Sequence, residues 1–321
     1  MRFLPTEEQT AFAEAIDDIV EGAGGADIAR SWADGDHAAG LALWEQFAEL
    51  GLLGLRVPEE EGGFGGSLSD LVVVFERLGY HGTPGPYLET VALLPSLVDA
   101  ATRGELAGGA IATAAVEGVA PAALDAGIAT HLFLVQRGAL HPAAISEQLE
   151  SVAPTRHPAR LTAAGGATAL PEGALDRALN EAALAAAAML VGAGERMLDE
   201  AVSYAQVREQ FGRPIGEFQA LKHQLADVRI ALSFARPLVW NAALRSDEAD
   251  ADRAVSSAKV AASDAAMLAA RTSLQVHGAI GYTAEHTLRI WLGLTPALSS
   301  LWGTPAHHRA RIARDILAKE H

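Results

Sequence analysis

A short segment in the last third of the chain combines residue types that bind phosphate groups. Arg208 and Gln210 stand just before Gly212-Arg213-Pro214, which turns the chain, and a new helix is predicted to begin near Phe218. A guanidinium and an amide beside a helix N-terminus supply the positive charge and the N–H donors that a pyrophosphate requires. Because Arg208 could equally pair with a surface carboxylate, these residues by themselves predict only a candidate anion site.

Other arrangements that carry chemistry are not favoured by the sequence. The absence of cysteine excludes thiolate nucleophiles, disulfides and cysteine-ligated metals, and no Gly-x-Ser-x-Gly motif marks a nucleophilic serine. His307 and His308 are adjacent, and adjacent helical residues point about 100° apart, so the pair cannot chelate one ion from one face. The glycine-rich stretch 57–66 lacks the Lys-Ser/Thr pair of a P-loop and is interpreted as a tight structural turn. We therefore predict no metal site.

The charge balance limits the classes of partner. With 24 Lys and Arg against 40 Asp and Glu, the formal net charge of −16 repels nucleic acids and anionic lipid surfaces. The longest uncharged apolar run, 182–194, is well short of the ~20 residues that a membrane-spanning helix needs, and the first residues lack the apolar core of an export signal. We expect a cytoplasmic protein that binds neither nucleic acid nor membranes.

The chain divides into three regions with different sequence patterns, and these regions must position the residues named above. The sequence predicts a mainly α-helical protein with a small β insertion, divided into helices over 1–107, short β-like pieces over 108–173 and long helices over 174–321. The β-like pieces are 110–114 and 131–135. The long helices are predicted over 181–207, 218–244, 253–277, 284–292 and 305–319. Short connections between long antiparallel helices indicate a bundle, and the small residues of 182–194 indicate close helix packing.

Two helix starts in the first region have specific signals. Thr6 with Gln9 is typical of a capping box, which predicts a helix from there to about Glu21. Ser67 or Ser69 is a suitable N-cap for a helix over 70–78.

Three blocks of the chain resemble the flavin-dependent acyl-CoA dehydrogenases. Residues 208–219 are similar to the Arg-x-Gln-Phe-Gly…Phe-Gln signature of that family. Residues 275–282, followed by Thr283 and Glu285, resemble its Gln-x-x-Gly-Gly-x-Gly-Tyr stretch, and 44–63 resembles part of its N-terminal helical domain. The resemblance covers about residues 1–115 and 175–321. It implies an acyl-CoA dehydrogenase-like architecture of an N-terminal helical domain, a shortened β domain and a C-terminal four-helix bundle.

The resemblance implies that the chain binds FAD between subunits. In this family, the two C-terminal blocks of one chain hold the adenosine-pyrophosphate half of a neighbour's FAD. The match assigns this role to Arg208, Gln210, Phe211, Phe218, Gln219, Gln275 and Gly278. Thr304 retains a flavin-contacting residue type of the family, or caps the final helix before Pro305. Ala279 departs from the pattern, because the family usually has glycine there.

The resemblance also implies a reaction, the α,β-desaturation of an acyl-CoA thioester. In the family a glutamate takes the α proton while the β hydrogen leaves as hydride to the flavin. Trp302 and Ala182 occupy the two positions where members carry this glutamate, so no catalytic residue is predicted on this chain. Glu181 lies one residue from the second position and becomes a candidate only if the local alignment slips. Trp302 is interpreted as packing in the vacated acyl pocket, or as stacking on a flavin or a ring-shaped substrate.

These departures resemble the smaller subunit of heteromeric acyl-CoA dehydrogenases of actinobacterial steroid degradation. The short β region indicates that the chain's own flavin pocket is incomplete. The resemblance implies an α2β2 heterotetramer in which this chain completes the FAD site of a homologous catalytic subunit that takes the acyl-CoA, with a steroid-derived acyl group as one option. Two alternatives stay open: a self-sufficient homo-oligomeric dehydrogenase that uses a carboxylate such as Glu181 or Glu117, and a structural or regulatory scaffold without flavin.

Overall fold

The computed structural model describes residues 3–283 and 286–318. It confirms a mainly α-helical fold with a small sheet region and a C-terminal helical bundle. The predicted helix start at Ala284, residue Glu285 of the second sequence block and the predicted helix end at Lys319 lie outside the described residues.

The first part of the chain is helical, as predicted. Its helices are α1 (Glu7–Gly22), α2 (Ala26–Ala33), α3 (Ala38–Glu49), α4 (Leu68–His81) and α5 (Ala100–Ala107). The capping box of α1 is confirmed, since Thr6 Oγ1 accepts from the Gln9 backbone N–H at 3.1 Å and the Gln9 side chain accepts from the Thr6 backbone N–H at 3.0 Å. Ser67, not Ser69, caps α4, and Asp70 completes the reciprocal pair.

The glycine-rich stretch between α3 and α4 is a tight turn, which confirms the structural interpretation. A Cβ added at Gly63 would lie 2.1 Å from the carbonyl oxygen of Val57, and one added at Gly66 would lie 2.7 Å from Leu55 Cδ1. Glycine is therefore required here because backbone packs directly against backbone and a core leucine.

A buried π-helical turn, Leu88–Leu93, separates α4 from α5 and was not predicted. A short 3₁₀ turn, Leu94–Ser96, follows it. All six residues of the π turn are buried. Such turns carry one extra residue and are frequent at functional sites.

The sheet region lies between the two helical parts of the chain. Its strands are β1 (Ala112–Val116), β2 (Ala123–Leu124), β3 (His131–Gln136), β4 (Ala139–Gln148), β5 (Pro158–Ala163) and β6 (Thr168–Ala169). The strand order is β1-β3-β4-β5-β2, with β6 paired to β4; β1 and β3 are parallel and the other pairs antiparallel. Every residue of β1 is buried, because this strand packs against the π turn, whereas most of β4 faces outward. The strands predicted at 110–114 and 131–135 correspond to β1 and β3.

Long helices form the remainder of the chain. These are α6 (Ala174–Val207), α7 (Gln219–Leu244), α8 (Ala251–His277), α9 (Leu288–Ser300) and α10 (Pro305–Ala318), with a two-stranded hairpin, β7 (Glu209–Gln210) and β8 (Arg213–Pro214), after α6. Helix α6 contacts α4, α7, α8 and α9, and α8 contacts α10. None of the helices in this described part of the chain combines the length and apolarity needed to cross a bilayer.

Small residues allow the neighbouring helices to approach α6 closely. Ala182 through Ala188 are at most 1% exposed. A Cβ at Gly192 would lie 1.9 Å from the Glu76 carbonyl oxygen of α4, and one at Gly194 would lie 2.6 Å from Leu232 Cδ2 of α7. The predicted close packing is confirmed, and dispersion contacts over this seam hold the bundle to the N-terminal helices.

Helix α9 differs from the helix predicted over 284–292. It continues through Gly293 and Pro296 to Ser300. A Cβ at Gly293 would lie 3.0 Å from the Cα of Ala153, so this glycine allows close approach of the β4–β5 loop and does not end the helix. Tertiary packing therefore overrides the local stop signal.

Candidate functional site

The segment after α6 exposes polar groups and an aromatic ring at one end of the bundle. Phe211 and Gly212 form the two-residue turn of the β7–β8 hairpin, with φ of 53° and 78°. Two positive φ values are typical of a type I′ hairpin turn. Phe211 adopts an unfavourable backbone conformation for a non-glycine residue, and its side chain is 92% exposed.

The segment after α8 exposes an amide and a glycine. Gln275 lies on the solvent-facing side of the last turn of α8. Gly278 follows with φ 63° and ψ −141°, a region that is essentially restricted to glycine. A Cβ added at this position would meet no atom within 4 Å, so the backbone here borders open space. Ala279 is exposed and has no positive φ, so its methyl group is sterically accepted.

Ring stacking and an apolar cluster bring the two segments together. Tyr204 of α6 stacks on His277 of α8, with ring centroids 4.5 Å apart. Beneath them, Ala205 and Val276 pack in one buried cluster against Ile215. The two blocks are more than sixty positions apart in sequence, and each follows the C-terminal end of its helix. The parallel alignment of α6 with α8 therefore places both at the same end of the bundle.

His277 presents a hydrogen-bond acceptor without a partner at this end. Its Nδ1 lies 2.8 Å from the carbonyl oxygen of Ser273, which requires Nδ1 to carry the proton. Burial, mainly, lowers the pKa of His277, so the ring is neutral and Nε2 carries a lone pair. Nε2 is buried and has no hydrogen-bond partner among the described residues.

Most of the residues assigned by the resemblance share this surface, which we call the bundle-end surface. The exposed members are Arg208, Gln210, Phe211, Gln219, Gln275 and Gly278. Phe218 is partly buried and lies edge-to-face with Phe211 at 6.2 Å, and the Arg213 guanidinium lies 4.3 Å from the Phe218 ring centre. In the described ranges no carboxylate pairs with Arg208, so the structure does not contain the surface ion pair considered as an alternative.

Thr304 lies apart from the bundle-end surface. Its Oγ1 accepts a hydrogen bond from the His307 backbone N–H at 3.2 Å, as an N-cap of α10 does. The backbone oxygen of the adjacent Gly303 accepts a hydrogen bond from Lys259 of α8. Lys259 precedes Gln275 by sixteen residues on the same helix, which separates the two by roughly 24 Å at 1.5 Å per residue. The capping interpretation of Thr304 fits this geometry.

Trp302 is a core residue on a strained turn. It is 2% exposed and has φ 55°, and its backbone oxygen lies 3.2 Å from His308 Nε2. Burial, mainly, lowers the pKa of His308 to about 3, so this histidine is neutral. The indole belongs to the main hydrophobic core, as the packing interpretation expects.

Lys259 holds this turn in place and was missed by the sequence analysis. It is fully buried, and its Nζ donates to the carbonyl oxygens of Leu298 (2.9 Å), Ser299 (3.0 Å) and Gly303 (3.2 Å). Burial lowers its pKa to about 7. The three acceptors include the unsatisfied carbonyls at the C-terminal end of α9. The only sequence signal was a lysine at a core position of an alanine-rich helix.

The carboxylates considered as bases have other contacts. Glu181 forms a two-point ion pair with Arg56, with N–O distances of 3.0 and 3.2 Å. Ala182, beside it, is fully buried. Glu117 is exposed and accepts from the Gln136 side chain at 3.2 Å.

A buried acid on the π turn was also missed. Glu89 is 1% exposed, and its Oε2 has no partner within the described part of the chain. Burial, mainly, raises its pKa from 4.5 to about 7, although the nearby Arg156 guanidinium acts in the opposite direction. Nothing in the sequence around Glu89 distinguished it from a surface glutamate.

Glu89 makes the free energy of unfolding depend on pH. Its pKa is higher in the folded state, so its stabilisation is fully present below about pH 4.5 and is lost as the pH rises through about 7. The loss is about 3 kcal/mol. We expect Glu89→Gln to remove this decline, measured by urea unfolding between pH 5 and 8. Glu117→Gln is the exposed control, and an unchanged slope in Glu89→Gln would contradict the prediction.

Two family profiles match the chain on either side of the sheet. The profile of the acyl-CoA dehydrogenase N-terminal domain matches residues 6–102, and that of the C-terminal domain matches residues 172–317. The chain is 32% identical to acyl-CoA dehydrogenase IpdE2 of Mycobacterium tuberculosis, over 97% of this chain and 98% of that protein.

Two solved structures share the fold of this chain over nearly the whole length of both chains. A variant of the Tcur3481–Tcur3483 steroid ACAD is 25% identical with a TM-score of 0.85, covering 98% of both chains. The ChsE4–ChsE5 complex from Mycobacterium tuberculosis is 23% identical with a TM-score of 0.84, covering 99% of both chains.

The chain consists of N-terminal helices, a small sheet and a C-terminal helical bundle, and two of its sequence blocks lie at the same end of that bundle. This architecture is the acyl-CoA dehydrogenase fold. The full-length match to IpdE2 then makes the assignment specific: the chain belongs to the acyl-CoA dehydrogenase family, whose members are FAD-dependent oxidoreductases.

Proposed function

We propose that this chain is the base-lacking subunit of a heteromeric acyl-CoA dehydrogenase. In this proposal its bundle-end surface holds the adenosine-pyrophosphate half of an FAD whose reacting ring lies in a homologous catalytic subunit. One observation carries the proposal: the assigned residues at the bundle end are exposed and open, while Trp302 and Ala182 at the base positions are buried in the core.

The residues of the bundle-end surface suit the pyrophosphate end of FAD. Arg208 supplies a guanidinium free of any carboxylate in the described ranges, and the exposed Gln210 and Gln275 supply amide donors. Gly278 borders open space, so a phosphate can approach the backbone closely. His277 Nε2 is an acceptor of the kind that an adenine amino group or a ribose hydroxyl satisfies.

Each group has a separate task in this proposal. Arg208 neutralises phosphate charge, and the amides fix the orientation of the cofactor. Phe211, almost fully exposed here, covers an apolar surface of the partner and excludes water from the cofactor's phosphates. Bound FAD would supply the hydride acceptor for desaturation of the acyl thioester. The base that removes the α proton would come from the partner.

The comparisons support a partner subunit of the same family. Each of the two solved structures named above pairs two differently named proteins, Tcur3481 with Tcur3483 and ChsE4 with ChsE5. By this analogy we propose an α2β2 assembly. Because the Tcur3481–Tcur3483 protein is described as a steroid ACAD, we also propose a steroid-derived acyl-CoA as substrate of the complex.

A self-sufficient dehydrogenase is the second candidate, and two contacts speak against it. Arg56 holds Glu181 in a two-point ion pair that engages both of its carboxylate oxygens. Glu117 is exposed and accepts a hydrogen bond from the Gln136 side chain.

Purification of the tagged chain from its native host tests the proposal. We expect a homologous acyl-CoA dehydrogenase to co-purify, and the complex to show a flavin absorbance spectrum and dehydrogenase activity. The same chain expressed alone should be colourless and inactive. A yellow, active assembly of this chain alone would support the self-sufficient enzyme, and a colourless complex that does not quench FAD fluorescence would support a scaffold role.

A further inference from the structure

Helix α7 presents apolar side chains to solvent as well as to the core. Its inner face packs on α8, α6 and α4 and includes the buried Leu232 and Val239. On the opposite face Ile230, Phe234 and Leu238 are exposed, and 73% of Phe234 is accessible to solvent. Helices that are apolar on both faces are covered on both in stable assemblies, and contiguous exposed apolar surface marks an interaction site. The outer face of α7 is therefore a candidate contact surface.

The charged residues near this outer face are directed away from it. Arg236 is the one charged residue of the segment 230–244. Its guanidinium pairs with Glu76 of α4 and with Glu195 of α6. Arg229, just before the segment, also pairs with Glu195. The outer face of this segment therefore has no charge whose desolvation would oppose a contact.

The spacing of the outer residues is the same in both directions along α7. Ile230 and Leu238 lie four positions before and after Phe234, and Asp227 and Asn241 lie seven positions before and after it. At about 100° per residue, all five lie within about 40° of one line along the helix. We call these five residues the α7 seam. A surface that matches itself after a twofold rotation is what an isologous contact between identical subunits requires.

An antiparallel pair of α7 helices centred on Phe234 would bring complementary residues together. Phe234 faces its own copy, Ile230 faces Leu238 of the second copy, and Asp227 faces Asn241 of the second copy. Offset or edge-to-face packing of the two phenyl rings is favourable. The Asn241 amide is able to donate to the Asp227 carboxylate. The contact then consists of three apolar layers with one polar pair at each end, and the polar pairs favour this register.

We propose that the α7 seam is a homodimer contact, in which two copies of this chain pack antiparallel about a twofold axis through Phe234. The self-complementary spacing favours a second copy over an unrelated partner. The seam is about 20 Å long, so the interface is at the small end of specific interfaces, and we expect a dissociation constant on the order of 10 μM. In the proposed α2β2 assembly this contact would join the two copies of this chain, but it involves neither FAD nor the catalytic subunit.

Sedimentation equilibrium of the full chain tests the proposal. From about 1 to 100 μM, a range that brackets the expected dissociation constant, the wild-type chain should pass from monomer to dimer. Phe234→Glu should weaken dimerisation roughly a hundredfold, because two carboxylates would face each other at the twofold axis. Val152→Glu, on the β4–β5 loop and 95% exposed, is the control and should dimerise as the wild type does. Circular dichroism verifies that both variants fold.

Site-specific cross-linking tests the register, since the chain has no cysteine of its own. Phe234→Cys should couple to its own copy through bismaleimidoethane, a linker that joins only neighbouring thiols. Ile230→Cys and Leu238→Cys should couple when the two variants are mixed. Each of them alone should couple poorly, because identical positions would lie about 12 Å apart along the helix axis. Val152→Cys should remain uncoupled.

Four outcomes would overturn the homodimer contact. The wild-type chain could remain a monomer over the whole concentration range, or Phe234→Glu and Val152→Glu could dimerise equally well. Ile230→Cys alone could couple as efficiently as its mixture with Leu238→Cys, which would refute the register. Phe234→Glu could still dimerise but lose a co-purifying catalytic subunit, which would assign the seam to that subunit. A failure of the proposed function would leave the sedimentation and cross-linking results of the chain alone unchanged.

Discussion

Arg208→Ala is expected to strip FAD from the proposed complex of this chain with a homologous catalytic subunit. A bidentate hydrogen-bonded pair between a guanidinium and a phosphate contributes about 2–3 kcal/mol, which corresponds to roughly 30- to 150-fold weaker FAD binding when it is removed. No carboxylate in the described ranges competes for Arg208, so its substitution leaves no unpaired acid on this chain. The loss therefore reports on the cofactor and not on the fold.

The measurement is a fluorescence titration of FAD into complex from which the cofactor has been removed. Arg160→Ala provides a matched control, because Arg160 is also exposed and its ion pair with Glu147 lies on the sheet. Arg208→Lys should give an intermediate affinity, since lysine retains the charge without the two parallel donors. Equal FAD affinities in Arg208→Ala and Arg160→Ala would rule out a role for the bundle-end surface in holding the cofactor.

Substitution of Lys259 is expected to have the second large effect, a decrease in the free energy of unfolding of the chain. Lys259→Met removes the donor of three buried carbonyl oxygens, and each unsatisfied buried acceptor costs about 1–3 kcal/mol. Removal of a buried cation offsets part of this loss. We expect a net decrease of about 3 kcal/mol in the free energy of unfolding.

Urea unfolding followed by tryptophan fluorescence measures this change. Lys222→Met is the matched control, since Lys222 is exposed on α7 and makes no such contacts. The Trp302 turn should also become mobile, and near-ultraviolet circular dichroism would detect the loss of a fixed indole environment. A Lys259→Met chain as stable as Lys222→Met would mean that the turn does not depend on the lysine.

Lys259 also stabilises the turn after α9 that carries the buried Trp302. In members of this family the resemblance places a catalytic glutamate at this turn. Here Trp302 points into the hydrophobic core, and Lys259, Ser256 and His308 hold the backbone around it. These hydrogen bonds fix the backbone of the turn, while the indole Nε1 itself has no hydrogen-bond partner among the described residues.

Local residue types were sufficient to predict much of the helical framework. The capping box at Thr6 acts within four residues, so its outcome follows from the sequence, whereas the structure decided between Ser67 and Ser69 as the N-cap of α4. Short β-like pieces separated by glycine and proline located β1 and β3. The glycine-rich stretch 57–66 was recognised as a tight turn, and the small residues of 182–194 as a site of close helix packing. The three sequence blocks predicted the family because their residue types and order are specific.

Other features were decided only when distant parts of the chain came together. Helix α9 passes a glycine and a proline because the β4–β5 loop packs against it, and no local rule contains that contact. Glu89 and Lys259 resemble ordinary polar residues in the sequence, yet both are buried. Burial among elements distant in the sequence is the main cause of the raised pKa of Glu89 and of the lowered pKa of Lys259.

The sequence by itself determined the family, because the residue types and order of its three blocks are specific, and it predicted which residues bind a phosphate and which base positions lack an acid. Only the tertiary structure decided that the two C-terminal blocks share one surface, that Thr304 lies apart from it, and that Glu89 is buried near Arg156. Desolvation and proximity are the physical reason: both are properties of groups that folding brings together, and neither is encoded in any single segment.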